Sequence, residues 1–100
     1  MRPSATLTLR ILVPYEGGHA HRCPGCKVVH LIPDTWKFNG NLDKPTFTPS
    51  VKHTYRWPDE PQNVCHYFIT EGNIQFCGDC THDMAGQTVP LAEMPVDFQA

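Results

Sequence analysis

The sequence predicts a small, mostly β domain: an antiparallel sheet with one short helical turn. Three observations lead there. Apolar and polar residues alternate in several short runs, and no helical periodicity is sustained over three turns. Seven glycines and ten prolines in 100 residues punctuate the chain too often for long elements. Five cysteines, four of them in two Cys-x-x-Cys pairs, offer a way to hold short strands together.

Taken in order, residues 6–13 alternate and place Leu7, Leu9, Ile11 and Val13 on one face of a half-buried strand, which Pro14 and Gly17-Gly18 end. His19 to Cys26 reads as a loop feeding a Cys-Pro-Gly-Cys turn, with His19 and His21 in solvent. Residues 28–32 form a short strand stopped by Pro33-Asp34, and Trp36 and Phe38 mark another that ends at the turn signal Asn39-Gly40. Alternation returns over 46–57, with Phe47, Val51, His53, Tyr55 and Trp57 on one side; Pro49 demotes this run to an edge or bulged strand. The clearest local signal is a hairpin of 64–70 and 73–79 around Glu71-Gly72, pairing Ile69 with Ile74, Tyr67 with Phe76 and Cys65 with Gly78. Thr81 as N-cap and Gly86 as stop give the helical turn, and 87–91 a last strand. Residues 1–91 make the expected domain and 92–100 a loose tail.

The net charge of −2 conceals an asymmetry. All eight basic residues lie in positions 1–56 with three acids, whereas 57–100 hold seven acids and no Lys or Arg. Within one small fold the two halves attract each other; the alternative is a basic face for nucleic acid formed by Arg22, Lys27, Lys37 and Lys52. No apolar run is long enough to span a bilayer, and the N-terminal alternation is unlike a signal peptide. The expected location is therefore a host cytoplasm or a virion, without membrane contact, where thiols stay reduced and cysteines serve metal rather than cystine.

Cys23-Pro24-Gly25-Cys26 has the spacing of a zinc knuckle, in which two thiolates face one Zn²⁺. Two more ligands are needed. Side chains alternate along a strand, so the hairpin register puts Cys65 and Cys80 on one face and Cys77 on the other, opposite His66. The expected set is Cys23, Cys26, Cys65 and Cys80 around one structural Zn²⁺ in a zinc ribbon-like domain, with Cys77 a free thiol. His30 competes as a third ligand after Cys26, and Cys77 could join Cys80 if the chain leaves strand geometry after Phe76. Zinc has a physical motive here, because a core of short strands leaves little margin over conformational entropy.

His30, His66, His82 and Asp79 each lie within four residues of an expected ligand. They read as groups that hydrogen-bond thiolates and backbone. Otherwise they form a second metal site with an open position, or act as acid and base. No spaced Ser/His/Asp pattern is visible, so the sequence gives no support for nucleophilic catalysis.

Several stretches carry a resemblance: Cys65-His66-Tyr67-Phe68-Ile69, residues 79–91 (Asp79-Cys80-Thr81-His82-Asp83-Met84-Ala85-Gly86-Gln87-Thr88-Val89-Pro90-Leu91), Cys23-Pro24-Gly25-Cys26 with His30, Trp36-Lys37-Phe38-Asn39-Gly40, and Pro45-Thr46-Phe47-Thr48-Pro49-Ser50. Together, over about residues 20–91, they resemble a family of small phage and prophage proteins of unknown function, to which an "ammonia monooxygenase" label is often attached. That label does not suit a chain without a membrane span or an evident copper site. The resemblance implies viral or prophage origin and metal binding. Two departures stand out: Cys77 replaces an aliphatic residue, and Lys27 stands where the knuckle favours glycine.

The functional expectation is thus a small phage-encoded zinc-binding module for binding or assembly, a virion accessory or a binder of a host factor, with a phage or host protein as partner. The alternatives are a metal-dependent hydrolase using His30, His66, His82 and Asp79, and a nucleic-acid-binding zinc module.

Overall fold

The computed structural model describes residues 8–56 and 58–97, so Leu7 and Trp57 of the expected strand faces lie outside the described residues. These residues form ten strands and no helix. In chain order they are β1 (Leu9–Arg10), β2 (Val13–Tyr15), β3 (Gly18–Arg22), β4 (Val29–Pro33), β5 (Lys37–Phe38), β6 (Phe47–Tyr55), β7 (Asn63–Thr70), β8 (Asn73–Phe76), β9 (Thr88–Pro90) and β10 (Met94–Pro95). Three antiparallel sheets result: β1-β10, β2-β3-β4 and β5-β6-β7-β8-β9.

The hairpin of β7 and β8 has the expected register, with Ile69 opposite Ile74 and Tyr67 opposite Phe76. Its two-residue loop carries positive φ at both Glu71 (47°) and Gly72 (82°), the conformation that matches the twist of the flanking strands. The alternation then sorts the faces of β7. Cys65, Tyr67 and Ile69 are buried, while His66 is half-buried and Phe68 exposed on the other side. The buried side packs with Leu12, Ile32, Phe47, Val51, Ile74, Phe76 and Leu91 into the main core, which also takes in Cys23, Cys65 and Cys80.

β6 is long but irregular. Phe47 pairs with Ile69, yet Val51 pairs with Tyr67, so four residues of β6 span two of β7. Thr48, Pro49 and Ser50 make this bulge, and the Thr48–Pro49 peptide is cis. The proline that the sequence marks as an interruption therefore sits where the ladder is broken.

Four expectations need correction. His21 is fully buried in β3 rather than in solvent, because its Nε2 lies 2.7 Å from the Tyr67 hydroxyl. Leu9 is exposed and Leu12 buried, so the first run does not form one continuous alternating strand. Residues 81–86 form turns rather than a helical turn: the Thr81 hydroxyl accepts from the Val64 N–H instead of capping a helix. The expected tail is packed as far as described. Ala92 bridges to Arg22, β10 pairs with β1, and Met94 fills a second small core with Val13 and Ala20.

Tyr67 ties the layers together. Its hydroxyl bonds His21 Nε2 at 2.7 Å and His53 Nε2 at 3.0 Å, and the His53 ring stacks on His30 with centroids 4.0 Å apart. Burial holds His21 down at about 3 and His53 at about 4, so both rings are neutral at neutral pH. Tyr67→Phe leaves His21 Nε2 unpartnered in the core; a loss of about 1–3 kcal/mol is expected in urea unfolding.

Candidate functional site

Cys65 and His66 are neighbours on β7 and point to opposite faces, so one strand serves two groups of side chains.

On the inner face, Cys23, Cys26, His30 and Cys65 bring their ligand atoms within 4.8 Å of one another and could hold a metal ion. The knuckle supplies the first two. The Lys27 N–H bonds the Cys23 carbonyl at 2.8 Å, and the Cys26 N–H points at Cys23 Sγ at 3.3 Å. Lys27 takes a φ of 62°, so the turn has the left-handed geometry for which glycine is the easier residue. β4 brings in His30, whose buried Nε2 has no hydrogen-bond partner. Cys23 and Cys65 Sγ lie 3.7 Å apart. The proton in that contact stays with Cys65, which is pushed up, while the hydrogen bond it donates holds Cys23 far below the usual thiol range. Burial pushes Cys26 up. Three sulfurs this close cannot all carry charge unaided; a divalent cation removes the conflict.

His82 supports this group from outside. Its Nδ1 accepts the Met84 N–H at 3.2 Å, which leaves the proton on Nε2 to face Cys65 Sγ at 3.5 Å. The ring lies over Gly25, where a Cβ would collide with it. Gly25→Ala should therefore displace His82 and weaken metal affinity by about tenfold or more, read by competition with a chromogenic chelator.

Cys80 is grouped differently from the expected set. It lies with Cys65 and His82 rather than with Cys23 and Cys26, and its Sγ accepts the His66 N–H at 3.3 Å and donates to the His66 carbonyl at 3.1 Å. The chain does break from strand geometry after Phe76, into a turn closed by Cys80 N–H to Cys77 O at 3.3 Å. The Cys77 N–H also bonds the His66 carbonyl at 2.9 Å. The second Cys-x-x-Cys thus clamps the backbone of His66 from both ends of the turn and projects Asp79 beside its ring.

That is the second group, on the outer face. His66 Nδ1 lies 3.2 Å from both Asp79 carboxylate oxygens, and His66 Nε2 lies 3.1 Å from Ser50 Oγ. Asp79 accepts the Nδ1 proton, so the Nε2 lone pair receives the Ser50 hydroxyl. Lys52 Nζ approaches Asp79 at 3.8 Å. Ser50 and His66 are half-buried and Asp79 is exposed. Cys77 lies close enough to group with His66 and Asp79. Burial and then the Asp79 charge raise its pKa, so it stays a neutral thiol.

The sequence reading missed Ser50 altogether and treated His30, His66, His82 and Asp79 as one cluster. The structure separates them: His66 and Asp79 join Ser50, whereas His30 and His82 belong to the sulfur group. The available signal was modest. Ser50 is one of two serines in the chain and follows the proline that breaks an alternating strand.

A serine, a histidine and an aspartate in this order of contact have the geometry of a serine hydrolase triad. The chain matches the model of the family described as bacterial ubiquitination-like system serine protease (BubE) over residues 4–77, and it belongs to that family. The matched region includes Ser50 and His66 and ends two residues before Asp79. No curated protein and no solved structure gives a significant match. The family match overturns the expectation of a phage binding or assembly module, and it lends no support to a viral label.

Proposed function

We propose that this chain is a serine hydrolase that cleaves an acyl bond of a protein substrate within a bacterial ubiquitination-like system. The observation that carries the reading is the Ser50–His66–Asp79 contact, and the family description agrees with it in kind. Ser50 Oγ attacks the carbonyl carbon as its proton passes to His66 Nε2. The resulting imidazolium faces the Asp79 carboxylate, which also fixes the ring tautomer. His66 returns the proton to the leaving amine, and the C–N bond breaks to leave an ester on Ser50. A water, deprotonated by the same nitrogen, then releases the acid and restores the hydroxyl. The test is hydrolysis of an activated ester, p-nitrophenyl acetate: wild type is expected to exceed Ser50→Ala clearly, and equal rates would end the proposal.

The sulfur group serves the fold in this reading, as a Zn²⁺ site. Tetrahedral zinc with sulfurs at about 2.3 Å sets S···S near 3.8 Å, and Cys23 and Cys65 stand at 3.7 Å. His30 would complete the four ligands. A metal held there would tie the knuckle to β7 at the residue next to His66 and so steady the strand that carries the base.

A further inference from the structure

We infer that the substrate binds as an extended strand added to the open edge of β6, antiparallel to it, with its carbonyl end delivered to Ser50. This rests on the serine hydrolase reading and adds what the site recognises.

The hydrogen-bond pattern shows which groups are available. On β7, His66 and Val64 turn their backbone groups toward the following chain. The His66 carbonyl takes the Cys77 N–H, and Val64 exchanges bonds with Thr81 on both its N–H and its carbonyl. Cys65 and Tyr67 must then face β6, so their partners His53 and Val51 use their backbone groups inward. Lys52 and Thr54 are left with N–H and C=O pointing away from the sheet. The short β5 covers only Phe47 and Thr48, and among the described residues no strand pairs with this side of 51–55.

A bare edge of this kind is ordinarily covered or blunted, because it invites another strand. Here it opens instead on a cleft of about 770 Å³ lined by Lys52–Tyr55 and by Cys26, Val28 and His30, the two sides touching where His30 stacks on His53 and where the Tyr55 hydroxyl donates to Cys26 Sγ at 3.7 Å. The cleft suits a peptide chain added to the edge. Beside Ser50 the edge is closed: the Trp36 indole N–H bonds the Pro49 carbonyl at 2.9 Å and that of Ser50 at 3.3 Å. An added strand can pair with Thr54 and Lys52 but must leave the edge at Ser50, which brings its next carbonyl to the nucleophile. In an antiparallel addition the chain runs from Thr54 toward Ser50, so the paired residues lie on the acyl side of the bond to be cut. Side chains between the paired residues point to the inner face, where exposed Val28 and Tyr55 offer apolar contact. Apolar residues are preferred at those alternate positions.

The test uses the whole protein and acetyl-capped alanine peptides of one to six residues, carried as thiobenzyl esters. Lengthening the peptide far enough to reach Lys52 and Thr54 should raise kcat/KM by about tenfold. Backbone N-methylation should then cancel the gain at every second residue and spare those between, because only alternate N–H groups face β6. Thr54→Pro, which removes an outward N–H and no bond to β7, should lower the ratio of long to short ester rates. The substrate series on wild type needs no folded variant. Rates independent of length, or N-methylation tolerated at all positions, overturn the inference while leaving the triad standing. If the shortest ester is turned over no faster than by Ser50→Ala, the triad reading fails first and takes this one with it.

Discussion

Ser50→Ala is expected to lower kcat for an activated ester by about 10⁴-fold, with KM little changed. The hydroxyl is the group that His66 Nε2 contacts, and alanine leaves the bulge backbone and its bonds from Trp36 intact. His66→Ala should cost as much, and the double variant scarcely more, because nucleophile and base act as one unit. Asp79→Asn keeps the size of the side chain but can turn an amide N–H toward Nδ1. The ring then presents its proton to Ser50, and kcat should fall by about 10³-fold or more. Burst kinetics with p-nitrophenyl acetate separate the steps: wild type shows an acylation burst that the three single variants lack. Losses that simply added, or a full rate in Asp79→Asn, would mean that the three contacts do not work together.

Removing the metal is expected to have the second largest effect. Structural zinc contributes on the order of 10 kcal/mol to small domains, more than most domains have in reserve. Cys23, Cys26 and Cys65 are among the residues that build the main core or pack against it, so an ion held there would join the knuckle to the hairpin. Treatment with a strong chelator should abolish near-ultraviolet circular dichroism and ester hydrolysis together, and added Zn²⁺ should restore both. Cys65→Ser should behave likewise, since it weakens the ligand beside His66. Elemental analysis should return one tightly held ion per chain. A protein that stays folded and active after complete metal removal would exclude this role.

The sequence made the hairpin legible because local rules fix it: alternation sets the faces, and a two-residue loop sets the register. From that register the separation of Cys77 from Cys65 follows. The triad was illegible for the opposite reason. Ser50, His66 and Asp79 come from a bulge, a strand and a turn, 16 and 13 residues apart, and only pairing across β6, β7 and the turn after β8 unites them. A bulge of this size shifts the register and re-aims a side chain, and nothing in the local pattern fixes its extent. His21 was misread because its burial depends on a distant tyrosine. Thr81 has the sequence of a helix cap, but the Val64 N–H claims its hydroxyl. Both CxxC pairs have knuckle spacing, yet only the first turns its thiols inward together; the second spends its backbone and Cys80 on holding His66.

Covalent trapping tests directly whether Ser50 is the nucleophile. The protein is incubated with a fluorophosphonate, digested, and the modified peptide sequenced by mass spectrometry. A single adduct on Ser50, absent from His66→Ala, is expected. No adduct in folded, metal-loaded protein, or an adduct at another residue such as Cys77, would contradict it.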